Sequence, residues 1–409
     1  MKIIIITIFV ILLKEIYSEY VKLKLSYSNP YYYISLKLGH FTNETNLIFS
    51  NYIPISFIPT LRCKICSNFK LNETNSNLIS IKQNIKIPYY HYNYTGNVYN
   101  NIIYIDNLIS KSDFIGFNDI TYKSQFSYNG IFSLSYLNYN FNTTKKIFAI
   151  KFINSKCELQ LGDYQRNYIA NYSNLKSYDI ILDENGSTNE VLKPIWYIKF
   201  SNLSIISRNI KNDLNIISDI KLSFDMGTDK FHIPKNFFFN NLKFIFPEKS
   251  HCQLNPEGYF ICQCGDNYRL NFGNFVFKNN KNEVFNITPK DYIIYENKIS
   301  SSNCIAKIKV NYENDLFIGG IGVLKNYYSI FDIDNKTLML YKEEEKDELS
   351  EDIEYFILFL FLLAFIEILI FGIYFCWKKW KRNNNNNNNN EEDLEPINPA
   401  QGESSEETE

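Results

Sequence analysis

The chain lacks what a metal centre or a nucleic-acid surface would need. Its 409 residues hold only four histidines, His40, His91, His232 and His251, and no two stand at metal-ligand spacing. Cys63-x-x-Cys66 has no second matching pair in the first half of the chain, so the further ligands of a zinc site are missing. The 42 Lys and Arg are balanced by 44 Asp and Glu, a net charge of −2, which points away from nucleic acid and anionic surfaces. Methionine (3) and glycine (15) are scarce. Long stretches of helical periodicity are scarce too, which argues against a mainly helical fold.

Two long apolar runs lie near the ends. Ile3 to Leu13 follows Lys2 as a run of eleven residues, apolar but for Thr7, and a polar stretch ending in Tyr17-Ser18 comes next. That run is too short to span a bilayer, so residues 1–18 read as a signal peptide into the secretory pathway. Tyr355 to Trp377 is 23 residues long with one charge, Glu367, enough to cross the hydrocarbon core with some tilt. Lys378-Lys379-Trp380-Lys381-Arg382 follows it, and basic flanks stay cytoplasmic. The expected topology is single-pass type I, in an endolysosomal or cell-surface membrane. Because a charged tail follows the span, a glycolipid anchor is not expected. Residues 378–409 include eight consecutive asparagines from Asn383 and then turn acidic; they read as a disordered cytoplasmic tail. An acid at the depth of Glu367 costs on the order of 2.5–3.5 kcal/mol. It reads either as a contact with a partner helix or as one tolerated polar group in a very hydrophobic span.

The segment 19–342 carries the fold. It is rich in Ile, Tyr and Phe, and short alternating runs recur, such as Tyr33-Ile34-Ser35-Leu36-Lys37-Leu38 and Ile305-Ala306-Lys307-Ile308-Lys309-Val310. These read as half-buried strands, and the fold class as all-β. In the secretory route Cys63 and Cys66 read as a disulfide. Cys264 with Cys304 and Cys252 with Cys262 are the other expected bonds, leaving Cys157; the order of cysteines alone permits other pairings. Asn-x-Ser/Thr sites occur at Asn43, Asn72, Asn93, Asn142, Asn171, Asn185, Asn202, Asn286 and Asn335, all on the expected outside.

A series of segments then resembles the pepsin-like aspartic proteases. Tyr32-Tyr33-Ile34-Ser35-Leu36-Lys37-Leu38-Gly39 is similar to the family's first strand, and Leu47-Ile48-Phe49 stands where the family enters its first Asp-Thr-Gly. Phe57-Ile58-Pro59, Asn129-Gly130-Ile131-Phe132-Ser133-Leu134-Ser135 and Cys157-Glu158-Leu159-Gln160-Leu161-Gly162 follow in the family's order. So do Trp196-Tyr197-Ile198-Lys199-Phe200, Phe224-Asp225-Met226-Gly227-Thr228, Ile318-Gly319-Gly320 and Leu324-Lys325-Asn326-Tyr327-Tyr328-Ser329-Ile330-Phe331-Asp332. The resemblance implies a bilobal fold with lobes at about 31–170 and 190–342, a peptide or protein ligand in the inter-lobe cleft, and no cofactor.

In this family two carboxylates share one proton and activate a water between them. The resemblance assigns Asp225, with Gly227 and Thr228 in its loop and Gly320 in support, to the second lobe. In the first lobe Ser50 stands for the Asp, Asn51 for the Thr, Tyr52 for the Gly, and Ser133 for the supporting glycine. Met226 replaces the second Thr, so neither hydroxyl of the family's cross-bond between loops is available. Tyr89 is the candidate flap tyrosine, without flanking glycines, and His91 is a possible base or an exposed loop residue. Only about a dozen residues separate the expected signal cleavage from the first matched strand, fewer than the family's inhibitory prosegment. The leading expectation is therefore a membrane-anchored pseudoprotease that binds peptides or proteins. The alternatives are an active aspartic endopeptidase using Asp225 with another acid, and a structural surface glycoprotein.

Overall fold

The computed structural model describes residues 21–388 apart from 29–30, 39–44, 65, 67–78, 90–91, 106–107, 122–129, 136–140, 154–155, 184–194, 208–213, 247–249, 256–258, 265–271, 296–302 and 343–347. The signal peptide and Asn43, Asn72, Asn185 and His91 lie outside the described residues, as do the side chains of Tyr89 and Asn93. The chain divides into two units, residues 1–343 and 344–409.

The first unit is built almost entirely of strands, as the β-branched and aromatic composition requires. Alternation sets which face is buried. In the strand Tyr31–Leu38, Tyr32, Ile34 and Leu36 are buried while Ser35 and Lys37 face out. The run from Ile305 to Val310, read above as one strand, is two. Asn303–Ala306 and Ile308–Asn311 belong to different sheets. The break falls at Lys307, whose N–H donates to Tyr292 O and whose ammonium pairs with Asp229 at 2.7 Å.

Each half of this unit contains the same crossing of strands. In the first, Thr45–Ser50 runs parallel to Ile131–Ser133, pairing Ser50 with Ser133. Ser56–Pro59 meets that short strand antiparallel through Phe57 and Ile131, and runs parallel to Leu108–Thr121. In the second, Leu214–Phe224 runs parallel to Leu316–Gly319, pairing Phe224 with Gly319. Phe231–Pro234 meets it antiparallel through His232 and Ile318, and runs parallel to Ile308–Asn311. Ser50 stands seven residues before Phe57, and Asp225 seven before His232. The two crossings therefore equate Ser50 with Asp225, Asn51 with Met226, Tyr52 with Gly227, Ile53 with Thr228, and Ser133 with Gly320.

The halves meet in an antiparallel array of six strands. Its order is Val21–Ser28, Lys156–Leu161, Ile147–Ile153, Tyr328–Asp332, Thr337–Tyr341, Leu175–Asp183. At its centre Phe148 and Phe331 are register partners and stack with centroids 4.4 Å apart. Trp196 packs edge-on against Phe331 at 5.6 Å. Disulfides join Cys63 to Cys66, Cys252 to Cys262 and Cys264 to Cys304, while Cys157 is a buried free thiol.

The second unit holds the helix Glu348–Asn388. Its stretch Phe359–Arg382, whose 18-residue apolar window has mean hydropathy 2.6, is long and apolar enough to cross a membrane. The helix continues through Lys378 to Asn388, whereas the sequence reading started a disordered tail at residue 378. Extending an existing helix adds one hydrogen bond per residue without a new nucleus, so a polar segment can follow an apolar one into helix.

Phe331 joins both halves and supports Trp196. Phe331→Ala should destabilise the chain by roughly 3–5 kcal/mol, read as a lower midpoint in denaturant unfolding.

Candidate functional site

The two equivalent loops face each other across the halves. Ser50 Oγ donates to Asp225 Oδ1 at 2.7 Å, and both residues are fully buried. The Gly227 N–H donates to the same carboxylate oxygen at 2.7 Å, and the Tyr52 N–H lies 3.4 Å from Ser50 Oγ. Both loops thus close through the same side-chain-to-backbone turn, from a residue to the amide two positions on. Each loop is also tied to the strand beside it, Asp225 N–H to Gly319 O and Leu134 N–H to Ser50 O. Serine keeps the local turn that aspartate would make. What it does not supply is an acid: a hydroxyl is neutral throughout the carboxylate range and has no proton to share with Asp225 there.

Neither loop offers the hydroxyl of the family's cross-bond, yet the two loops are still joined by another group. The Asn51 carboxamide oxygen accepts from the Met226 N–H at 2.8 Å, because an amide oxygen can take the proton a threonine hydroxyl would take. Trp196 Nε1–H donates to Asn51 O at 3.1 Å, joining this loop to the strand Ile195–Ile206 and, through the packing of Trp196 on Phe331, to the central array. Met226 is fully buried and its thioether cannot return a strong bond. The carboxamide also brings a second polar group. Asn51 Nδ2 is buried and finds no hydrogen-bond partner among the described residues, an arrangement that typically costs about 1–3 kcal/mol.

Tyr52 occupies the first-half counterpart of Gly227 and is 8% exposed. Its hydroxyl comes up to the Asn314 side chain in the second half, and Asn314 Oδ1 accepts from Asn311 Nδ2 at 2.7 Å. Burial, and then the charges of Asp225 and Glu313, hold the phenol well above its ordinary range. A large side chain therefore bridges the halves beside the surviving carboxylate.

The supporting positions differ in the same way. A Cβ on Gly320 would sit 2.5 Å from Lys230 O and 2.6 Å from Thr228 O, so the second loop requires glycine there. In the first loop Ser133 is accommodated, and its Oγ donates to Ile53 O, the counterpart of that same Thr228 carbonyl. Its N–H donates to Ser56 Oγ at 2.9 Å. Thr228 does not cross to the first half. Its Oγ1 meets His232 Nε2 at 3.0 Å and accepts from the Lys230 N–H at 3.2 Å. Lys309, the register partner of His232, is partly covered. Burial lowers it to about 7, with Glu313 acting in the opposite sense.

Asn51, Tyr52, Ser133, Gly227 and Thr228 are brought together with Ser50 and Asp225. Tyr89 ends the strand Ile79–Tyr89. Asn314, Glu313 and Ser56 were not singled out from the sequence. An aromatic at position 52 signalled that some group must receive it, but no local pattern marks Asn314. No group of three or more His, Cys, Asp or Glu gathers at metal-binding distance among the described residues. Of the glycosylation candidates, Asn142, Asn171, Asn286 and Asn335 are exposed, whereas Asn202 lies within a strand paired on both sides and its carboxamide oxygen is buried.

Ser50→Ala should destabilise the chain by about 1–3 kcal/mol, because it leaves a buried carboxylate oxygen short of a donor; denaturant unfolding at constant pH reads this. Lys309 titrates in the folded chain near 7, below its ordinary 10.5. Between those values the unfolded chain binds more protons, so stability rises with pH. Lys309→Met should flatten that rise, measured by unfolding at about pH 7 and about pH 10.

Among curated proteins none matches the chain. A family model described as eukaryotic aspartyl protease matches residues 31–342, the stretch that contains both crossings and all of the six central strands except Val21–Ser28. The chain belongs to the eukaryotic aspartyl protease family.

Proposed function

We propose that the chain is a membrane-anchored pseudoprotease, a member of its family that binds peptides or proteins without cleaving them. The observation that carries this reading is the 2.7 Å bond from Ser50 Oγ to Asp225. Peptide hydrolysis in this family needs a general acid and a general base acting on one water, and proton transfer by such groups typically contributes about 10²–10⁴-fold. Here the position facing Asp225 holds a hydroxyl, and the neighbouring backbone is shaped around Tyr52, Asn51 and Ser133. The bridge from Tyr52 to Asn314 further supports the reading, since it places an aromatic where the other loop has a glycine.

The apolar stretch Phe359–Arg382 supports anchoring. The basic run from Lys378 to Arg382 supports a cytoplasmic location for the segment beyond it. The first unit then lies on the lumenal or extracellular side, where its disulfides are stable.

The purified full-length chain should cleave no member of a diverse peptide library between about pH 3 and 7, the range in which carboxyl catalysts of this kind operate. Cleavage that Asp225→Ala abolishes would overturn the proposal. Ser50→Asp alone should also remain without turnover, because Tyr52, Ser133 and Met226 are still in place. Pepsin-like turnover by that single variant would mean that the loop geometry matters less than the missing acid.

A further inference from the structure

We propose that an apolar groove on the second half of the first unit docks an extended segment of a partner protein that alternates aromatic or aliphatic residues with acidic ones. The groove encloses about 780 Å³. Its walls come from the helices Lys235–Asn240 and Leu242–Ile245, the segment around Cys252, and the end of the strand Ile308–Asn311. This extends the binding part of the proposed function to a surface built separately from Ser50 and Asp225.

Four large side chains around the groove are left to solvent: Phe239 at 55%, Leu242 at 43%, Leu254 at 64% and Tyr312 at 66% exposed. Single exposed apolar residues are ordinary, but a contiguous set marks an interaction site. The floor beneath them is rigid. Phe260 packs against Phe238 at 5.7 Å and against Phe246 at 5.0 Å, and the Cys252–Cys262 disulfide pins one wall. A preformed groove spares a ligand the entropy of ordering it.

Two features select the occupant. Gln253–Leu254 is the outer strand of a four-stranded sheet and, among the described residues, pairs on one side only, with Phe260–Gln263. An open strand edge beside apolar pockets is the arrangement that captures an extended chain through its backbone. Charge decides the rest. Among the described residues the lining includes Lys243 and His251 and no Asp or Glu, and Lys235 lies 5.3 Å from the Tyr312 ring centre. Of the acids among the described residues, Asp229 pairs with Lys307 and Glu313 faces Lys309; Glu248 and Glu257 lie outside the described residues. On an extended ligand, side chains alternate between faces. One set would fill the groove and the other, if acidic, would meet these cations. The glycosylation candidates respect the same surface, for none occurs between Asn202 and Asn286, the interval that supplies most of the groove.

The test uses the full-length chain in detergent and fluorescence anisotropy of two labelled probes, a short peptide alternating phenylalanine with glutamate and its phenylalanine–lysine counterpart. The glutamate peptide should bind, and the lysine peptide should bind at least about tenfold more weakly. Phe239→Asp and Leu254→Asp, both on exposed side chains, should each weaken the glutamate peptide by a similar factor. Lys243→Glu should narrow the gap between the two peptides without altering the apolar wall. Absence of binding, equal binding of both peptides, or indifference to all three substitutions would overturn the proposal. So would self-association of the chain that Leu254→Asp abolishes, since the occupant would then be a second copy. These readouts are of binding, so the docking surface and the absence of cleavage can each fail alone.

Discussion

A single hydrogen bond, from Ser50 Oγ to Asp225 Oδ1, defines the chemistry of this molecule. In a two-carboxylate site the facing groups repel when both are charged, and that repulsion is what keeps a proton shared between them. With a hydroxyl on one side the repulsion is gone. The pair is a donor and an acceptor in a buried contact. Asp225 then serves its own loop, accepting from Gly227 and Ser50 at the seam between halves.

The rest of the first loop is consistent with that change. A tyrosine stands where the second loop has a glycine, and it reaches Asn314 in the other half. The strand next to the loop can carry Ser133 instead of glycine, and its hydroxyl ties the loop carbonyl that a glycine would leave alone. Asn51 shows the limit of such exchange. The protein keeps one bond between the loops through its carboxamide oxygen, and among the described residues the amide nitrogen is buried without a partner. The contact between halves is preserved although neither loop carries the family's cross-bonding threonine.

This separation of architecture from chemistry has a physical basis. The crossings and the six central strands are held by backbone ladders and by packing such as Phe148 on Phe331 with Trp196 above them. None of these depends on an ionised pair.

The sequence by itself determined the strand-rich class, the family, the apolar helix and the absence of an acid at position 50. These follow from side-chain type, alternation and order, which are local properties. It misjudged what depends on neighbours distant in the chain. The run from Ile305 to Val310 alternates like one strand, yet it splits at Lys307 because Asp229 and Tyr292 draw that residue away. The Asn51 bond to Met226, the reach of Tyr52 to Asn314 and the groove beside Leu254 were decided only by the tertiary structure. In each case the partner lies on another strand or in the other half, and no spacing along a chain encodes a distance between segments until the fold brings them together.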